Sequence, residues 1–151
     1  MDVLLPTGGG GAFIGARVKG AVGSGIGMDG VFFAVNDSTW VMALGLPALG
    51  GGNATSSGNV LASGPVPDPS SSSGSASSWR RLSLSVVGVT AGAILDGVLV
   101  AQAVPIPKPH DHYTAKVAGV VVDLGSGGYA SFGTVGYASV EFDNLSILSS
   151  D

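Results

Sequence analysis

The carboxylate, imidazole and thiol stock of these 151 residues is ten acidic side chains, two histidines and no cysteine. The single glutamate, Glu141, stands two positions from Asp143. On a strand the two side chains share a face unless a bulge separates them. Carboxylates paired at about 5–9 Å hydrolyse glycosidic bonds, but neighbours on one strand cannot easily flank such a bond, and no catalytic role is assigned to them. His110-Asp111-His112 offers two imidazoles in a proline-flanked loop, short of the three or four convergent ligands that a zinc site requires. Gly25-Ile26-Gly27-Met28-Asp29-Gly30 has dinucleotide-loop spacing, yet it opens onto the strand-like Val31-Phe32-Phe33 instead of a helix, so it reads as a flexible connection. No nucleophile triad, phosphate loop or zincin motif is present.

Calcium is the cofactor that the acidic residues suggest, in a structural role. The apolar phase shifts between Val140/Phe142 and Leu145/Ile147, as a β-bulge near Asp143 would cause. A bulge re-aims a carboxylate together with backbone carbonyls, the hard oxygens that calcium takes. Asp143 is therefore a candidate metal ligand, with Asp2 on the opening strand as the second; an aspartate capping its own backbone is the competing reading. Trp40 and Trp79 could stack on sugar rings, although tryptophans at strand starts and centres more commonly pack in the core. Asn36, Asn53 and Asn144 head N-x-Ser/Thr triplets, candidate glycosylation sites that also arise by chance in a serine-rich chain.

Positioning any of these falls to strands. With 26 glycines, 8 prolines and 11% charged residues, the composition favours many short strands joined by turns. No window carries a helical apolar period, and no apolar run approaches the ~20 residues of a membrane span. A net charge of −4 and six scattered basic residues leave no electrostatic footprint for nucleic acid. Without cysteine there are no disulfides and no thiol chemistry. Met1-Asp2-Val3-Leu4-Leu5 lacks the charged and apolar regions of a signal peptide. With sequons present, this suggests a secreted-type domain taken from a longer chain.

The chain is organised around Trp79 to Val104. From Trp79 to Val87 the residues alternate, Leu82, Leu84 and Val86 against Arg81, Ser83 and Ser85, the period of a half-buried strand. Asp96-Gly97 between two apolar runs signals a tight hairpin, because a type I′ turn needs positive φ at both central residues. Further strands are expected at Val3–Leu5, 12–18, 30–36, 39–44, 59–63, 129–134 and 140–147, with an extra one within 116–124. Pro65 to Ser78 is expected to be a disordered serine- and proline-rich insertion, and 105–127 a loop insertion. The whole of 1–151 is expected to form a single all-β domain, an antiparallel β-sandwich of jelly-roll type.

In their order, several of these pieces resemble the C-terminal lectin-like domain of the galactosylceramidase (galactocerebrosidase) glycoside hydrolase family. They are Asp2-Val3, Gly11 to Val18, Gly30 to Phe33, Val60 to Gly64 and Trp79 to Leu84, followed by Gly128-Tyr129-Ala130-Ser131-Phe132-Gly133-Thr134 and Phe142-Asp143-Asn144. The resemblance implies a concanavalin-like sandwich lacking its first strands, with an exposed edge at the opening strand. It implies an accessory lectin-like domain whose partner is an upstream catalytic barrel or a galactosyl lipid, and whose compartment is the secretory pathway, lysosomal or extracellular. The family's catalytic glutamates lie in that barrel, so no catalytic residue is carried over; the Phe-Asp-Asn match carries calcium onto Asp143. The alternative is a free-standing carbohydrate-binding or cell-surface module.

Overall fold

The computed structural model describes residues 1–5, 10–19, 29–45, 60–67, 79–107, 116–117, 120–121, 129–135 and 140–148. They form strands β1 (Asp2–Leu4), β2 (Gly11–Lys19), β3 (Asp29–Val35), β4 (Thr39–Leu44), β5 (Val60–Pro65) and β6 (Trp79–Val87). These continue with β7 (Thr90–Leu95), β8 (Val98–Pro105), β9 (Lys116–Val117), β10 (Val120–Val121), β11 (Tyr129–Val135) and β12 (Glu141–Asp143). One five-stranded sheet runs β12-β1-β6-β7-β8 and another β11-β2-β3-β4-β5, while β9 and β10 pair as a small hairpin. Every pairing is antiparallel. The architecture is the expected β-sandwich.

Turn chemistry builds the first sheet. Asp96 and Gly97 both have positive φ, 52° and 81°, as the type I′ turn demands. Gly88, at φ 56°, reverses the chain between β6 and β7 with glycine in the first central position, as a type II′ turn requires. No described atom would meet a side chain at Gly97, so a Gly97→Val substitution meets only the left-handed backbone. It should cost about 1–2 kcal/mol, read as a lower urea midpoint with an unchanged slope.

Alternation then sorts the faces. Val3, Leu82, Ala93 and Leu95 of the first sheet meet Val31, Phe33, Val35, Met42 and Leu44 of the second in one buried core. Trp40 joins this core with its ring laid over Gly64, where a Cβ would come within 3.0 Å of the indole. The second sheet is buried on its other face as well. Phe13, Phe32 and Ala34, of opposite parity to Phe33, form a separate buried cluster with Val18, and Val41 packs against it. Gly15 lies under Phe32 here, beside the buried Ser131 hydroxyl, which has no hydrogen-bond partner among the described residues. A break in the β2 ladder at Arg17, φ 56°, sends its guanidinium across to the Gly88 carbonyl at 2.6 Å, tying the two sheets together.

Several expectations change. The opening strand is not an edge: β1 pairs with β12 on one side and β6 on the other. Its register with β12 is continuous, with Asp2 opposite Asp143, so no bulge lies at Asp143. The apolar phase shifts because Asn144, at φ 52°, ends the strand in a left-handed turn. Beyond it Leu145, Ile147 and Leu148 are exposed. Pro65 closes β5 and Val66 packs on the core, so the sandwich extends into the segment expected to be an insertion. Pro105 likewise ends β8, and Ile106 packs against the core. Residues 68–78 and most of 108–128 lie outside the described residues.

Candidate functional site

The chain's polar chemistry gathers where β1 starts and β12 ends, beside Arg81 inside β6. The cross-strand register sets Asp143, Asp2 and Arg81 in one row. Antiparallel neighbours of this kind have Cα atoms about 4.5–5.5 Å apart, and two like charges directly opposite repel. Arg81 resolves the conflict on one side. Its Nε donates to Asp2 Oδ1 at 2.6 Å and Nη2 to Asp2 Oδ2 at 2.8 Å, the bidentate fork. Asn144 Nδ2 adds a third hydrogen bond, to Oδ2 at 2.8 Å. The Asp143 carboxylate turns to its neighbour, Oδ1 accepting from the Asn144 backbone N–H at 2.7 Å.

These donors hold the Asp2 carboxyl well below the usual carboxylate range. The Arg81 hydrogen bonds contribute most, followed by that from Asn144. Asp2 in turn raises the Arg81 guanidinium. A carboxylate depressed in the folded state stabilises fully above its unfolded value of about 3.9, and that stabilisation fades as pH falls towards the folded value. The stability of the wild-type chain should therefore fall between about pH 5 and pH 2. An Asp2→Asn variant should show a shallower fall and a lower melting temperature at neutral pH. Thermal melts across that range measure both.

A second ion pair lies alongside. Arg80 is buried, of the same parity as Leu82, and its Nη1 reaches Asp96 Oδ2 at 2.7 Å. Asp96 Oδ1 accepts the Arg81 backbone N–H at 2.7 Å, fastening the β7–β8 turn to β6.

The expected site residues separate on this frame. Asp2 and Asp143 come together, as a calcium site would require, but the arrangement around them does not fit the ion. Three donors converge on the Asp2 carboxylate, and the Asn144 amide presents its N–H. Calcium takes six to eight oxygens. Among the described residues no group of three or more metal-binding side chains forms. Glu141 and Asp143 are both exposed at the two ends of β12. Of the tryptophans, Trp40 is core and Trp79 is not: 48% exposed, it stands on the solvent face with Arg81. Asn36 closes the β3–β4 turn, its Oδ1 accepting the N–H groups of Ser38 and Thr39 at 3.0 and 2.7 Å. Asn53, His110, His112 and the 25–28 glycine loop lie outside the described residues. Arg81 is the residue that sequence reasoning missed. Its parity with Trp79 and Ser83 was the available signal, since that row faces water in a half-buried strand.

Two five-stranded antiparallel sheets over one apolar core define a β-sandwich domain. The family model described as galactocerebrosidase, C-terminal lectin domain, matches residues 1–150, and the chain belongs to that family. No curated protein matches it significantly. Among the described residues no helix is long and apolar enough to cross a membrane.

Proposed function

We propose that this chain is the accessory lectin-like domain of a galactosylceramidase-like glycosidase, supporting an upstream catalytic barrel and contacting the galactosyl lipid, with no catalysis of its own. The family membership gives the context. The observation that carries the reading is an apolar rim on the side where β11 and β12 edge the two sheets. Phe132 meets Phe142 there with ring centroids 5.2 Å apart, yet stays 47% exposed. Tyr129 on β11 is largely exposed, as are Ile147 and Leu148 in the segment after β12. Exposed aromatic and aliphatic side chains along these two edges are the surface that contact with another body would use. Such a protein belongs to the lysosomal or extracellular branch of the secretory pathway and acts in sphingolipid breakdown, with Asn36, Asn53 and Asn144 as glycan acceptors.

The size of the native polypeptide tests this, by blotting with an antibody against 79–104. A species several times 14.7 kDa is expected, with galactosylceramide hydrolysis in the same fraction. A species near 14.7 kDa overturns the reading.

Exposed Trp79 favours a second reading, a free-standing carbohydrate-binding module, since an indole beside Arg81 offers a stacking face next to hydrogen-bond donors. Saturable quenching of tryptophan fluorescence by methyl β-D-galactopyranoside, lost in Trp79→Ala, would support it.

A further inference from the structure

The cluster at the start of β1 and the end of β12, beside Arg81 of β6, has the charge and geometry of a cation site with its cation already supplied by the chain. Asp2 and Asp143 stand directly opposite on neighbouring strands. Two carboxylates so placed need positive charge between or beside them for the strands to close. Arg81 delivers it through two parallel N–H···O bonds, the arrangement a planar guanidinium makes and an ammonium cannot. Asp2 is only 13% exposed at its side chain, while Arg81 reaches in from a side chain 68% exposed. Asn144 completes the donor set at 2.8 Å.

We propose that the Arg81 guanidinium is the resident cation of this cluster, so that β12 closes on β1 without calcium. A calcium ion at Asp2 would have to expel a bidentate guanidinium and leave two cations crowded at one end of the sheet. It would also need the Asn144 amide reversed, trading its N–H donor for its oxygen. Removing the guanidinium inverts this logic. Asp2, Asp143 and the freed Asn144 amide then form an acceptor-rich pocket whose carboxylates have lost their guanidinium, the oxygen chemistry that calcium prefers.

The test is a thermal melt of the full chain, stripped with EDTA and titrated with calcium chloride or magnesium chloride. Wild type should melt at one temperature throughout. Arg81→Gln should melt lower in EDTA and regain several degrees, saturably, with calcium and not with magnesium. Adding Asp2→Asn to that variant should abolish the response. A saturable calcium-dependent rise in the wild type would overturn the proposal, as would an Arg81→Gln chain that folds and ignores calcium. Should Arg81→Gln fail to fold in EDTA, refolding it with calcium present supplies the same contrast. Recovery with calcium supports the proposal, and failure under both conditions overturns it. Terbium luminescence is the independent readout: absent in the wild type, it should appear in Arg81→Gln and be competed away by calcium.

Discussion

Replacing Asp96 by asparagine should lower the unfolding free energy by about 2–4 kcal/mol. Asparagine keeps what the turn needs. It tolerates the left-handed φ of 52°, and its amide oxygen still accepts the Arg81 N–H. What it loses is the charge facing Arg80, a guanidinium only 8% exposed. Removing one partner of such a pair leaves the other desolvated and uncompensated, which is where the cost arises. Partial exposure of Asp96 keeps the value below that of a fully buried pair. Urea denaturation monitored by circular dichroism measures it. The companion experiment is Arg80→Met with Asp96→Asn: taking out the buried charge should restore most of the loss. A double variant as unstable as Asp96→Asn would assign the effect to turn geometry.

Truncating Phe33 to alanine should cost about 3–5 kcal/mol. Phe33 is fully buried between the sheets with its ring centroid 6.2 Å from that of Trp40, so the deletion removes apolar burial and leaves a cavity walled by two rigid sheets. Against the 5–15 kcal/mol typical of a domain, that loss brings the fold close to its limit at about 37 °C. Phe132→Ala removes the same atoms from a half-exposed site and should cost clearly less. Melting both variants side by side separates burial from residue type; equal losses would contradict the core assigned here.

Local signals were legible in the sequence, and long-range ones were not. Asp96-Gly97 specified its hairpin through backbone sterics alone, and Leu82-Ser83-Leu84-Ser85-Val86 displayed its two faces by parity. Partner strands carry no such mark. Nothing near Asp2 shows that it pairs with Asp143, because that register is set by the whole sheet. The shift in apolar phase after Phe142 was visible, but a bulge and a left-handed Asn144 produce the same pattern, and only the backbone distinguishes them. The second buried face was hidden for a related reason. Val31 to Val35 is continuously apolar, which fits any fully buried strand without saying what covers it. Trp40 and Trp79 show the limit most sharply. Both sit on strands, and their parity within each strand decides that one lies over Gly64 and the other faces water beside Arg81. Asp2 and Asp143 lie opposite each other, and Arg81, 79 positions away from Asp2, completes the cluster through a register that no local pattern shows.

Each sheet is closed by strands from the far ends of the chain, β1 with β12 and β2 with β11. For a protein made residue by residue, this fixes an order of events. Until residues 141–143 have been added, β1 has one neighbour, β6, and Val3 lacks the cover of Phe142. The nascent sandwich carries an open seam until β12 has been made, and contacts of such sequence separation form slowly. A chain that stops anywhere between 136 and 140 should therefore have an unpaired β1 flank and be prone to aggregation. β12, only Glu141–Asp143, is the clasp of a sandwich that the strands before it cannot shut.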